Sequence, residues 1–497
     1  MTANSRFEFL PSIALDIILD HLDLDSIKSL RLTNKTVSRQ CIGPRFKSFF
    51  KKQTTDLTKG SLQSLSDLAS HPAFGPAVKD LTITAVICDL SVLQEIVRSK
   101  EKRQSQQQGV FSMSTIRKCS QAELEQAQSD LDWLQNEDKQ RSIPAETAIQ
   151  SLTSIFRHRK SFDSIDLDAT VLQGPNERVT TSESEWNANW MRASQVYAIT
   201  MSAIARSNIA VDTLTIFRCT PRCSVASCDI TSHMATPDMQ ASSALSIREF
   251  ALSLSTKVET DFHRFMQEAS QTENDRPALH ASGRRRQFLN AAEDPQAVSE
   301  DNFPGAARLL KLMPKLEALD LHLCPTVHGD RSSYARIFKD VADLHFPALQ
   351  QVFLRGLYVS EDSLLKFLSK HPKIDDLHLG GVHLTSGSWK TIFAYLGENM
   401  PALKRLYVSS IYANNKLVNL ISIHGTDQFD NINYKNYAHP NYFSAVPQAI
   451  VHTAVFDEER IKKGFELDDR KPAEGEWFGS PGLAMWQQMY RANYGCP

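Results

Sequence analysis

The chain has 497 residues, 41% of them hydrophobic, and a mean hydropathy of -0.32, the profile of a core-forming chain rather than a disordered one. Its 55 basic and 57 acidic side chains leave a formal net charge of -2, which excludes a global field drawing it to nucleic acid or an anionic membrane. The opening "MTANSRFEFLPS" has no basic stretch followed by an apolar core, and apolar runs such as "IALDIIL" fall far short of the roughly 20 residues of a membrane helix. Eight cysteines (Cys41, Cys88, Cys119, Cys219, Cys223, Cys228, Cys324, Cys496) are too sparse for a disulfide scaffold. A cytoplasmic or nuclear protein is the expectation, with the Asn34 sequon out of reach of glycosylation.

Residues 9–35, "FLPSIALDIILDHLDLDSIKSLRLTNK", read as two short amphipathic helices. Leu15, Ile18, Leu19 and Leu22 stand at i, i+3, i+4 and i+7, and Pro11 is tolerated at the first turn. Asp25 is placed to cap a second helix from Ser26 to about Thr33, whose Ile27 and Leu30 face the first. Asn34 starts a third segment that Gly43 and Pro44 end. So small a unit is expected to own no core and to need a partner surface over its apolar face.

Beyond a helical linker at 51–75, one phrase recurs, apolar-x-x-apolar-x-apolar. It appears as "VKDLTI" at Val78, "FDSIDL" at Phe162, "VDTLTI" at Val211, "IREFAL" at Ile247, "LEALDL" at Leu316, "LQQVFL" at Leu349, "IDDLHL" at Ile374 and "LKRLYV" at Leu403. Its last apolar positions alternate with polar ones, the period of a strand with one buried face. Between the later phrases, "SEDSLLKFLSKHPK" from Ser360 and "SGSWKTIFAYLGENMP" from Ser386 carry helical spacing, with Ser360 a cap candidate and Trp389, Ile392, Phe393 and Leu396 the apolar face. Strand and helix alternating at intervals of 25 to 33 residues over the last four phrases predict parallel strands whose stacked units share a core. A doubly wound sheet has the same alternation, but eight phrases with no glycine fingerprint after any of them favour a solenoid. Polar insertions interrupt the array: "RSKEKRQSQQQGVFSMSTIRKCSQ" reads as a mobile loop before a helix "AELEQAQSDLDWLQ", and "SCDITSHMATPDMQASS" and "HASGRRRQFLNAAEDPQAVSEDN" as surface excursions. The aromatic-rich end after Ile411 reads as an irregular cap.

Two family resemblances rest on these residues. Residues 76–411 resemble an irregular leucine-rich-repeat solenoid, although the Asn or Cys that follows the strand in that family is mostly absent, approached only at Cys324 and Cys219. The spacing Leu10-Pro11, Ile18-Leu19, Leu22, Ile27, Leu30, Arg31, Leu32 closely resembles the F-box, over residues 7–50. Ile13 departs from the family's usual Glu, and "TNKTVSRQC" lacks a frequent Trp. The fold expected is therefore α/β: a small all-α F-box at 7–50, the linker, the solenoid, and a cap over 412–497. The combination has the look of fungal F-box proteins and implies a non-catalytic, substrate-recognition subunit of a Skp-cullin-F-box ubiquitin ligase. Its partners would be a Skp-family adaptor, cullin and RING subunits through that adaptor, and a target protein. Leu10, Pro11, Ile18, Leu19, Leu22, Ile27 and Leu30 would be the adaptor-binding residues. On the outward strand positions, Asp320, Phe353, His378 and Tyr407 are expected in one row with Gln351, Asp376 and Arg405 beside them, as the target-binding surface. A scaffold that delivers no target, with or without adaptor binding, is the alternative.

Other signals are weaker. Cys219, Cys223, Cys228 and His233 could supply a zinc site, but their spacing matches no common finger, and loop cysteines behind a repeat strand are the plainer reading. His378 and His383 read as surface histidines and Arg284–Arg286 as a solvated basic run. No phosphate loop, nucleotide fingerprint, G-x-S-x-G or H-E-x-x-H is present, so neither catalysis nor a cofactor is expected.

Overall fold

The computed structural model describes residues 10–108, 111–175, 177–179, 181, 186–218, 220, 223–242, 244–256, 298–324, 332–409, 411–413, 416–418 and 453–463. It is a mixed α/β structure built on a largely parallel sheet, with no closed barrel among the described residues.

The first four helices are α1 (Ser12–Asp20), α2 (Leu24–Thr33), α3 (Lys35–Gln40) and α4 (Pro44–Ser48). Asp23, not Asp25, caps α2, its carboxylate accepting from Ser26 N at 2.7 Å, while Asp25 lies in the first turn and pairs with Lys28. Asn34 caps α3 as expected, and Gly43-Pro44 both ends α3 and begins α4. The unit does own a core: Leu15, Leu19, Ile27, Val37, Cys41 and Phe46 are buried together. The expectation of none failed because α3 and α4 close over the first two helices. Phe74 completes the cluster, its ring stacked on Phe50 at 4.8 Å and edge-on to Phe46.

All eight recurring phrases become neighbouring strands of one sheet. Along the sheet they are β1 (Lys52–Thr55), β2 (Asp80–Cys88), β3 (Ser161–Gly174), β4 (Ala210–Ile216), β5 (Glu249–Ser255), β6 (Ala318–Cys324), β7 (Gln351–Arg355), β8 (Asp376–Gly380), β9 (Arg405–Ser409) and β10 (Thr453–Asp457). Spatial order follows chain order from β1 to β10 with no reversal. β1, within the segment read as helical linker, pairs parallel with β2, so the sheet begins earlier than the phrases indicate. β10 pairs antiparallel with β9 at the far edge.

One strand face is apolar throughout. Ile83, Leu167, Ile216, Leu252, Leu321, Leu354, Leu379 and Val408 are buried against a row of helices, including 59–70, 145–157, 186–207, 227–234, 305–310, 335–342, 361–370 and 389–399, in which each touches the next. Ser360 caps the helix Glu361–Lys370 as expected; Ser388 caps Trp389–Asn399, which buries Trp389, Ile392, Phe393 and Leu396. Gly356 and Gly381, with φ of 65° and 62°, follow β7 and β8 and turn the chain into a second four-stranded sheet that includes Tyr358–Ser360 and His383–Ser386.

Two insertions differ from expectation. The Gln-rich stretch forms an antiparallel pair, Glu101–Gln108 with Phe111–Lys118, in which the two strands satisfy each other's backbone groups in one unbroken register. The helix that follows, Gln121–Arg141, buries Leu134 against Val86 and Leu172, on the side of the sheet away from the helix row. "SCDITSHM" is a helix with Ile230, Thr231 and His233 buried, not a surface excursion. Most of the third insertion (257–297) and of the aromatic-rich end (419–452, 464–497) lies outside the described residues. No helix among the described residues is long and apolar enough to cross a membrane.

Candidate functional site

The polar side of the sheet is built by strand alternation. Each residue between the buried positions points away from the helices, and the parallel register aligns these residues across strands. Asp320 stands opposite Phe353, Phe353 opposite His378, and His378 opposite Tyr407, so the four expected row members do form one row. Gln351, Asp376 and Arg405 form the row beside it. The first row continues the other way through Ala251, Thr215, Asp166 and Thr82.

Three of these residues form an aromatic ladder. The His378 imidazole lies 4.3 Å from the Phe353 ring and 5.2 Å from the Tyr407 ring. Burial between them depresses its pKa, opposed by the neighbouring Asp376 carboxylate. Asp376 is buried and its second oxygen holds Arg405 at 2.7 Å. Asp320, equally buried, receives Arg355 in a forked pair, Nε at 3.0 Å and Nη2 at 3.1 Å. It also receives Arg218 Nε at 2.7 Å.

Arg218 was not foreseen. It follows β4 yet reaches a carboxylate on β6, crossing β5 where the outward residues are the small Ala251 and Ser253. Phe217 makes the turn with a left-handed φ of 52°, and its carbonyl accepts from Ser253 Oγ at 2.9 Å. The Arg218 guanidinium ends 5.5 Å from the centre of the Phe353 ring. Each expected target residue therefore has a place: Phe353, His378 and Tyr407 half-exposed, Gln351 and Arg405 exposed, and Asp320 and Asp376 buried beneath the arginines they orient.

Below this surface, His322 Nδ1 stands 3.4 Å from Ser253 Oγ and 3.7 Å from Cys324 Sγ. Full burial pushes the Cys324 thiol up to about 12 and the His322 imidazole down to about 3, so both are neutral at pH 7. A thiol shifted in that direction is the reverse of an activated nucleophile.

The N-terminal candidates divide differently. Leu19 and Ile27 are 0% exposed, part of the unit's own core, and cannot touch a partner. Leu10, Ile18, Leu22 and Leu30 are half-buried and Pro11 is exposed. The apolar residues turned outward are Ile13, Ile17 and Leu32, at 74%, 57% and 87% exposure. Ile17 was overlooked, although its i+4 spacing from Ile13 marks a second stripe beside the core-facing one.

Among the described residues no group of three or more His, Cys, Asp or Glu could hold a metal ion. Cys219 lies outside them; Cys223 and His233 are buried, and burial holds the His233 imidazole down to about 4. His378 and His383 are on different sheets, the latter stacked between Tyr358 and Tyr412 at 4.6 and 4.2 Å. Arg284–Arg286 lies outside the described residues. No protein-family model matches the chain, and no curated protein matches it.

Proposed function

We propose that the chain is a two-ended adaptor, the substrate-recognition subunit of a Skp-cullin-F-box ubiquitin ligase. In this reading α1 to α4 are an F-box that docks on a Skp-family adaptor, and the sheet is a leucine-rich-repeat-like solenoid that holds a target protein. The observation that carries the reading is the uninterrupted sequential order of β1 to β10 behind a small helical unit with its own core. A doubly wound sheet reverses direction at a switch point, so sequential order favours stacked repeats. The outward row of Asp320, Phe353, His378 and Tyr407, with its mixed charge and rings, suits a protein partner. On the adaptor side the contact residues become Leu10, Pro11, Ile13, Ile17, Ile18 and Leu32, with Leu19 and Ile27 supporting them from behind. Such a subunit does no bond chemistry; it raises the concentration of a target near a ubiquitin-charged enzyme.

The test is co-purification of the full chain with a Skp-family adaptor. Wild type retains the adaptor; Leu10→Ala with Pro11→Ala, and separately Ile17→Asp, lose it while keeping the wild-type circular dichroism spectrum. An adaptor that never binds wild type removes the ligase reading and leaves a repeat scaffold.

A further inference from the structure

The polar face is electrically two-sided, and that asymmetry describes what fits it. Toward β3 it carries carboxylates with no cation among the described residues: Asp166 is half-buried with no ion pair, and Asp168 is exposed and bonded only to the Thr220 hydroxyl and the Ala169 amide. Asp80, one strand away, is already neutralised by Lys51 at 3.6 Å. Toward β7 to β9 the face carries the Phe353, His378 and Tyr407 rings. Between the two ends, Arg218 and Arg355 share the single carboxylate of Asp320, which leaves one positive charge in excess.

We infer that this face binds an extended protein segment laid across the strands, with a basic side chain over Asp166 and Asp168 and an aromatic side chain on the Phe353–His378–Tyr407 ladder. The inference deepens the reading of this face as the target-holding surface and rests on it. Charge complementarity orients the segment. A lysine or arginine is drawn to the unpaired carboxylates and repelled from the ladder by the excess charge at Arg218 and Arg355. The ladder rings face one another along the row and turn their edges outward, beside the Arg218 guanidinium, so a further ring packs against them edge to face. Register sets the spacing. Asp166 and Phe353 share one row and are four strands apart, a span of about 19 Å at ~4.8 Å per strand. An extended chain covers that distance in about six residues.

The probes are fluorescein-labelled Gly-Ser peptides carrying one Lys and one Tyr, separated by about two, six or ten residues, in both orders. They are titrated against the full chain by fluorescence polarisation. Binding is expected to be at least ~10-fold tighter at the six-residue spacing than at the others, in one of the two orders. The charge-reversed variant Asp166→Lys with Asp168→Lys loses the Lys peptide and takes up its Glu counterpart, a switch that a merely unfolded variant cannot show. Equal affinity at all spacings, a reversal without a switch, or no binding up to about 1 mM overturns the inference. The same variants are put through adaptor co-purification. If the adaptor fails to bind while the spacing preference holds, the ligase reading falls and the chemistry of this face stands.

Discussion

The Asp320 carboxylate gives the sharpest quantitative prediction, because one buried acceptor holds two arginines from different strand segments. Asp320→Asn keeps the shape and removes the charge, leaving Arg355 and Arg218 facing an uncharged amide. Hydrogen bonds to charged groups contribute about 1.5–3 kcal/mol each at full burial. Here the carboxylate is 6% exposed but its partners are 29% and 43% exposed, so water screens both pairs and brings each down to about 1 kcal/mol, below that range. The expected loss is about 2 kcal/mol for Asp320→Asn, and about 1 kcal/mol for Arg355→Gln. The double variant should be less unstable than the sum of the two by about 1 kcal/mol, the coupling energy of the forked pair. Native-state hydrogen exchange at the amides of β6 and β7 is the assay, since local opening reports on local contacts. A coupling below about 0.3 kcal/mol would refute the assignment of Asp320 as the anchor of the arginine arch.

Other outcomes follow from individual positions. Leu19→Ala should destabilise the N-terminal unit by about 2–4 kcal/mol, read from its urea midpoint, whereas Ile17→Asp should stay within ~0.5 kcal/mol of wild type. Gly356→Ala should cost more than about 2 kcal/mol, because φ is 65° and a Cβ there would lie 2.4 Å from the Leu323 carbonyl oxygen; thermal unfolding checks it. His371 should make stability fall in acid. Its Nε2 accepts from Phe346 N at 3.0 Å and Nδ1 lies 2.7 Å from the Phe367 carbonyl, and burial holds its pKa down to about 4. The unfolded chain protonates near 6.5, so this stability is complete above about pH 6.5 and drains away toward about pH 4, by at most about 1.4 kcal/mol for each pH unit. A urea midpoint that is equal at pH 7 and pH 5, or a decline that His371→Asn leaves as steep as in wild type, would contradict it; the buried His322 and His233 account for the part that remains. Cys324 should resist alkylation by iodoacetamide at pH 8 in the folded protein and react on unfolding.

Strand identity was legible because it is encoded locally. In "LEALDL" or "IDDLHL" the last two apolar residues stand two apart with a polar one between, and that period assigns each strand side chain to one face before any neighbour is known. Aligning the phrases was enough to place Asp320, Phe353, His378 and Tyr407 in one row, because parallel neighbours in register keep equivalent positions side by side. The short second strands were equally present in "GLYVS" and "GVHLTS", each a glycine followed by alternating apolar residues, and went unread because they are only a few residues long.

What the sequence determined by itself was therefore the order of strands and helices and the side of the sheet each strand residue faces. Tertiary structure alone decided which leucines of the opening helices are free. α1 carries Ile13, Leu15, Ile17, Ile18 and Leu19 around most of its circumference, and only the closure of α3 and α4 turns Leu19 inward and leaves Ile13 and Ile17 in water. The arginine arch was likewise invisible. Arg218 and Asp320 are far apart in sequence, and their meeting depends on the turn at Phe217 and on a small residue, Ala251, beneath the crossing guanidinium. Periodicity is a property of neighbours along the chain; a long-range ion pair is a property of stacking, and exists only once the strands between have taken their places.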